Sequence, residues 1–510
     1  MISFFESKDQ SVFAVQTKKS FSENEIKKLE WLFGNATFIS DPKVNRDLIG
    51  PRAAMVSPWS TNAVEICHNM GLTSVVRIEK YNLKSDDSID FDPMLNEKFS
   101  SLTQDLFKIN IIPEKITNIN DIKKYNQKEG LSLSPDEISY LNNVSKRINR
   151  ELTDSEIFGF SQVNSEHCRH KIFNGKFVID GQEKKESLFS LIKKTSKTNP
   201  DNIVSAYKDN VAFIKGPKVI QFAPSKSDES NYYISKEIDT VISLKAETHN
   251  FPTTVEPFNG AATGSGGEIR DRLAGGRGSI PLAGTAVYMT PYSRINNKEW
   301  ENNIEERKWL YQTPVEILIK ASNGASDFGN KFGQPLISGS VLTFENDNNG
   351  EIQSYDKVIM LAGGIGFANK EHSIKNKPEK DDLIVIMGGD NYRIGMGGAA
   401  VSSADTGEFS TGIELNAIQR SNPEMQKRVA NAIRGTLEND KNCIVSIHDH
   451  GAGGHLNCLT ELVEETGGFI KLDNLPIGDP TLSNKEIIGN ESQERMGLII
   501  KKENIDEFIR

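Results

Sequence analysis

The sequence predicts an α/β (α+β) chain: a small N-terminal α/β sandwich, a helical linker, and then two mixed α/β domains. Three observations carry this expectation. Apolar runs of strand length alternate with helical periodicity in the first part, a polar helical stretch with cap signals follows, and strand-like runs joined by glycine-rich connections fill the rest. At 510 residues the chain is too long for one hydrophobic core, so it divides into several domains.

Residues 1–125 carry SVFAVQT, ENEIKKLEWLFG, TNAVEICHNMG and SVVRIEKY, the rhythm of a sheet with helices covering one face. From about Lys123 to Phe160 the sequence turns polar and helical, and residues 126–175 are expected to form a linker domain. Its cap signals are Ser134 before Pro135-Asp136-Glu137 and Thr153 before Asp154 and Glu156. Residues 176–378 mix the strand signals VISLKAETHN, GTAVYMT and VIMLAGGIGFA with glycine-rich connections, up to the charged break KEHSIKNKPEKDD. Residues 379–510 open with LIVIMGG. There, IVSIHDHGAGG reads as strand then turn, LNCLTELVEETGG as a helix, and MGLIIKKENIDEFIR as a strand and the start of a helix, with the unit expected to stop short of closing.

The net charge of -10 argues against general nucleic-acid binding and requires any basic residues at an anion site to be gathered locally. No apolar stretch has the length of a membrane span, and the start MISFFESKDQ has no secretory pattern, so a cytoplasmic address is expected. Cys67, Cys168, Cys443 and Cys458 lack CxxC spacing and read as reduced thiols.

The densest chemical signal is GAATGSGGEIRDRLAGGRGS, with seven glycines between Gly260 and Gly278. Glycines let backbone N–H groups approach phosphate oxygens, yet the string has neither a P-loop ending nor a dinucleotide spacing, and a turn-rich loop reads equally well. Just ahead, KAETHNFPTTVEP puts Glu247 and His249 on one strand face, suiting a metal–nucleotide site or, for His249, a hydrogen-bonded structural role. In QVNSEHCRHK, residues Glu166, His167, Arg169, His170 and Lys171 read as a solvated loop, an incomplete metal site, or a cationic patch for an anion. In SIHDHGAGG, Asp449 sits between His448 and His450 at a strand end, as a magnesium ligand or a turn or N-cap aspartate.

Taken in order and spacing, SQVNSEHCRHKIFNG, ETHNFPTTVEPFNGAATGSGGEIRD, IHDHGAGG and NESQERMG resemble the signature strings of the phosphoribosylformylglycinamidine synthase family in its large single-chain form. The resemblance implies a small-subunit-like N-terminal domain, a linker, and a paired synthetase unit of the aminoimidazole ribonucleotide synthetase superfamily, with an ATP-binding N-terminal and a C-terminal domain. A second such pair and a glutaminase domain would follow in the family and are expected as the missing half, in cis or trans.

The implied activity is ATP-dependent conversion of formylglycinamide ribonucleotide to its amidine through an iminophosphate, with ammonia from a glutaminase domain or subunit. The alternative is a nucleotide-binding fragment without turnover of its own. By position, His167 and His249 are the implied catalytic histidines, His249 the stronger for proton transfer or stabilising the amide oxygen. Lys245 and the loop Gly260, Ala261, Ala262, Thr263, Gly264, Ser265, Gly266, Gly267, Glu268, Ile269, Arg270 and Asp271 would hold ATP. Glu247, Asp271 and Asp449 would bind Mg²⁺. Thr248, Asn250, Arg270, Gln419, Glu491, Ser492 and Gln493 would face the ribonucleotide. Two departures from the family stand out: Phe251 occupies the place of a frequent second histidine, and His170 that of a tyrosine.

Overall fold

The computed structural model describes residues 1–84, 91–296, 298–306, 308, 311–404, 407–492 and 494–510. The chain forms two compact units, the first made of residues 1–115 with 390–392 and 475–483, the second of 116–389, 393–474 and 484–510.

In the first unit a six-stranded sheet runs in the order Thr37–Ile39, Ile2–Glu6, Val12–Thr17, Val75–Leu83, Leu48–Pro51, Asn96–Phe99. Strand alternation divides its side chains between two cores. Phe5, Phe13, Val15 and Ile78 pack under the helices Glu23–Leu32 and Pro58–Asn69, with Leu29 and Cys67. Phe4, Val12, Ala14 and Tyr81 pack on the opposite side with Val44, Leu48 and Leu102.

The second unit opens with the helices Ile122–Glu129, Pro135–Ile148 and Asp154–Val163. Ser134 and Thr153 close capping boxes with Glu137 and Glu156, the cap signals read in the sequence. A six-stranded sheet follows in the order Ile203–Ser205, Ala212–Pro224, Tyr233–Thr248, Ile359–Asn369, Ile280–Thr290, Leu336–Thr343, antiparallel except for its last pair. Helices Pro257–Leu273 and Pro314–Phe332 lie on one face, over a core of Ala261, Ala286, Tyr288, Ala321, Ala325, Met360 and Ala362.

A three-stranded antiparallel sheet, Leu383–Met387, Met496–Ile500 and Ile444–Asp449, completes this unit. Its Ile447, Met496 and Leu498 share a core with Ile269, Leu273, Phe328 and Phe332 of the first sheet's helices and with Val429 and Ile433 of the helix Pro423–Glu438. That common core brings the end of Ile444–Asp449 close to the end of Pro257–Leu273. Among the described residues no helix is long and apolar enough to cross a membrane.

The glycine-rich string departs from expectation: the loop foreseen over Gly260–Asp271 is the body of a buried α-helix. Its glycines serve close packing. A Cβ on Gly260 would overlap the backbone of Pro252 and Thr253, and one on Gly324 of the facing helix would overlap Phe258. Sequence spacing shows where side chains are small, and this string uses smallness to admit neighbouring backbone.

Candidate active site

The strand Tyr233–Thr248 sends Lys245 and Glu247 to the face that carries the helices. Lys245 Nζ lies 3.0 Å from Glu247 Oε2 and 2.6 Å from Asp271 Oδ2, the latter in the last turn of Pro257–Leu273. Burial raises the Asp271 pKa to about 6, and the neighbouring Asp449 charge adds to this while Lys245 opposes it. Asp449 ends the strand Ile444–Asp449, and its Oδ1 accepts a 2.8 Å bond from Asn210 Nδ2. His448 Nε2 lies 2.6 Å from Glu461 Oε2 and its Nδ1 2.9 Å from the Asp449 carbonyl oxygen, so both ring nitrogens meet acceptors.

Asp449 is not a helix cap. The following helix, Gly454–Leu462, is capped at Gly453 with no side-chain bond. Four carboxylates (Glu247, Asp271, Asp449, Glu461), one ammonium and one doubly engaged imidazole therefore gather at the junction of the two sheets.

His249 follows the strand directly. Its ring Nδ1 donates to the Gly260 carbonyl oxygen at 2.5 Å, and burial drives its pKa down to about 3. In this arrangement Nε2 of the neutral ring faces any ligand as an acceptor.

His167 lies between the helix Asp154–Val163 and the short helix His170–Asn174, its side chain exposed, with Nδ1 2.9 Å from Ser402 Oγ. Although the side chain keeps contact with solvent, the protein packed around its ring strips part of its hydration and lowers its pKa, and the charge of Glu247 partly offsets this. Cys168, also exposed, stands in the same field, its thiol raised to about 11 by the same partial desolvation and by Glu247. Of the other residues in that string, Lys171 is occupied, 3.1 Å from Glu137 and 3.4 Å from Glu166, and His170 starts the short exposed helix His170–Asn174. The cationic patch expected there shrinks to Arg169, which lines a cavity of about 110 Å³ with Glu137, Asn164 and Glu166.

Several expected binding residues are placed elsewhere. Within a helix the N–H groups of Ala261, Ala262, Thr263, Gly264, Ser265 and Gly266 are committed to the chain's own carbonyls, so no backbone cradle for phosphate forms there. Glu268 is locked in a buried network with Arg272 and Gln334, and Ile269 belongs to the core. Only Gly267, Arg270 and Asp271 of that string adjoin the charged cluster; a Cβ on Gly267 would lie 3.9 Å from Glu247 Cγ.

Thr248 points to the opposite sheet face from Lys245 and Glu247, by strand alternation. Asn250 Oδ1 accepts from the Met360 N–H at 3.2 Å and so ties the short helix Asn250–Val255 to the sheet. Phe251 is buried with Val255, Val401 and Ile418.

Glu491 does not present its carboxylate to the cleft. Its Oε1 accepts N–H bonds of 3.1 Å from both Ala399 and Gly453, and its Oε2 accepts one of 3.3 Å from Gln419 Nε2. Two helix starts and a side-chain amide converge on it because a carboxylate satisfies their unpaired N–H groups. Gln419 is correspondingly buried, Ser492 is half-buried, and Gln493 lies outside the described residues.

Sequence reading missed Asn210, Ser402 and Glu461. Asn210 stands in the polar string YKDN, whose neighbour Asp209 accepts from the Gly276 N–H and pairs with Lys375; no spacing signal marks it. Among the described residues, no three of His, Cys, Asp or Glu gather as a metal-ligand set. The expected trio of Glu247, Asp271 and Asp449 is interrupted by Lys245, which sits between the first two.

Family models match the formylglycinamide ribonucleotide amidotransferase N-terminal domain at residues 10–105, the linker domain of the same amidotransferase at 122–171, and the C-terminal domain of AIR synthase related protein at 379–510. The chain is 38% identical over 486 residues to the phosphoribosylformylglycinamidine synthase of Dictyostelium discoideum, covering 90% of this chain and 36% of that one. It is 38% identical over 505 residues to the enzyme of the same name in Schizosaccharomyces pombe, covering 90% and 37%. The chain thus spans a little over a third of the length of these curated relatives. A solved structure described as T. maritima PurL complexed with FGAR is similar at 25% identity and TM-score 0.49, over 73% of this chain and 49% of that one.

Proposed function

We propose that the chain is a portion of a phosphoribosylformylglycinamidine synthase and that its second unit supplies one synthetase site of an ATP-dependent ligase of purine biosynthesis, a reading supported by the three domain matches and by the 38% identity to the two relatives of that name. The reaction joins formylglycinamide ribonucleotide, ATP and glutamine-derived ammonia into the amidine, ADP and phosphate. The observation that carries it is the gathering of Lys245, Glu247, Asp271 and Asp449 at the junction of the two sheets. Such a charged, partly buried cluster suits positioning and charge stabilisation of a transferred phosphoryl group.

The amide oxygen takes the γ-phosphoryl group and becomes a leaving group. Ammonia then attacks the amide carbon with its lone pair, and phosphate departs with the C–O bonding electrons. The surplus N–H proton passes to a base, and His167 is assigned that role because His249 is held near a pKa of about 3 with its Nδ1–H engaged by the Gly260 carbonyl oxygen. His249 Nε2 is left to accept a hydrogen bond from a substrate N–H. Lys245 neutralises Glu247 and Asp271, while Arg270, whose charge helps hold Asp271 and Glu491 ionised, adjoins the same pocket.

Magnesium fits this donor set in one way. Asp271 and Asp449 are buried hard-oxygen donors, and the Asp449 charge adds to the rise of the Asp271 pKa, so a divalent ion held by these two carboxylates would relieve that repulsion. When bound, it would neutralise phosphate charge.

The second synthetase half is proposed to cover the sheet face opposite the helices. That face carries Leu244, Ile365 and Leu342 at 38%, 40% and 47% exposure, together with Thr248, an apolar area of the kind that marks an interface. Ammonia would come from a glutaminase domain or subunit. Four free cysteines agree with a reducing, cytoplasmic setting.

The test is ADP release dependent on both ammonia and formylglycinamide ribonucleotide, with this chain alone and with the remaining length of its relatives supplied. Turnover only in the completed protein supports the proposal and assigns the isolated chain to nucleotide binding without turnover. No substrate-stimulated ADP release in either case would sink it.

A further inference from the structure

Arg495, His455 and His450 form a hydrogen-bonded chain behind Asp449, and all three side chains are at most 1% exposed. Arg495 Nη1 lies 2.7 Å from His455 Nε2, and His455 Nδ1 lies 2.9 Å from His450 Nε2. The two rings meet edge to face, 4.8 Å between centroids and 84° between planes.

A guanidinium has only donors and keeps its charge inside proteins. The contact with Arg495 therefore uses the lone pair of His455 Nε2, and the His455 proton must sit on Nδ1. That N–H is aimed at His450 Nε2, which must accept it, since a proton there would set two N–H groups head to head. His450 is left with its proton on Nδ1. Protonating either ring a second time would break the same contacts.

His450 Nδ1 is itself buried and has no hydrogen-bond partner among the described residues. Buried N–H groups almost always find an acceptor in protein, water or ligand, and turning the ring over would forfeit the bond to His455. The residue directly follows Asp449, and Arg270 and His448 lie within its electrostatic reach.

We infer that His450 is a further binding residue of this site, a tautomer-locked Nδ1–H donor for an oxygen acceptor that the chain does not supply, held beside Asp449. Arg495 and His455 are positioning residues that act through it. The acceptor is an ordered water or a phosphoryl oxygen of bound nucleotide, and the second source rests on the function proposed above.

Histidine-selective ¹⁵N labelling of the chain and long-range ¹H–¹⁵N spectra test this, with the His450 signals assigned through His450→Gln. The free protein at neutral pH is expected to show a protonated Nδ1 and an unprotonated Nε2 at His450. An unprotonated Nδ1, or an imidazolium pair of shifts, overturns the inference.

ADP with inorganic phosphate is then added to saturation. A shifted Nδ1–H proton identifies a phosphoryl oxygen, an unshifted one with a cross-peak to water identifies an ordered water, and neither response overturns the binding role. Nucleotide binding seen at other signals while His450 shows neither response defeats this inference and leaves the proposed function standing. No nucleotide binding at all, with the locked tautomer and the water cross-peak present, does the reverse. In a folded His455→Leu variant the lock is expected to be lost and the Nδ1–H population to fall. The measurements on the unaltered chain suffice if that variant does not fold.

Discussion

Lys245 is the side chain on which the charged cluster depends. Exchanging it for methionine removes the ammonium that separates Glu247 from Asp271, beside Asp449. For Lys245→Met, nucleotide titration is expected to show affinity at least ~10-fold weaker, about 1.4 kcal/mol; unchanged affinity would remove Lys245 from the proposed site. Glu491 allows a test of pH dependence. Burial raises its pKa from the ordinary 4.5 to about 7, so between those values the folded chain binds a proton that the unfolded chain has released. Its contribution is then greatest below 4.5 and is lost as pH rises towards 7. Glu491→Gln should flatten that decline by about 3 kcal/mol in denaturant titrations across the window. The substitution is tolerable because Gln419 Oε1 has no partner and a turned amide can accept from the new side chain. A variant whose stability falls with pH as steeply as the parent's would refute this assignment.

At the scale of elements, the glycine helix Pro257–Leu273 shows how one residue pattern serves two ends. Helix formation is costly with four glycines among these residues, at about 1 kcal/mol each relative to alanine. The gain is contact with Asn250–Val255 at Gly260 and with the sheet at Gly264, at distances no Cβ would permit. Gly260→Ala should therefore destabilise the chain despite alanine's better helix propensity, by about 1–3 kcal/mol from overpacking less about 1 kcal/mol of propensity. Denaturation midpoints check it, and a stabilised variant would contradict the packing account. The linker helices behave differently. Their starts follow from local cap chemistry at Ser134 and Thr153, and both were legible because a capping box needs only four consecutive residues.

At the scale of the whole molecule, the open face of the six-stranded sheet is the feature that most shapes behaviour in solution. Leu244→Glu combined with Ile365→Glu is expected to abolish association with the second synthetase half in sedimentation experiments while leaving the helix-bearing face folded. Undiminished association would place the interface elsewhere. The sequence by itself determined the division into α/β and helical segments, the helix starts, and the strand that pairs Lys245 with Glu247. Periodicity and capping act within a few residues and leave their mark in the string. Only the tertiary structure decided that Gly260–Asp271 is a packed helix instead of a phosphate loop and that Glu491 braces two helix starts. It also brought Asn210, Glu461 and Ser402 into the site, and it aligned Arg495, His455 and His450. Most of those outcomes depend on surfaces brought together from distant parts of the chain, as in the Asn210–Asp449 bond with its separation of 239, and no local pattern encodes that meeting.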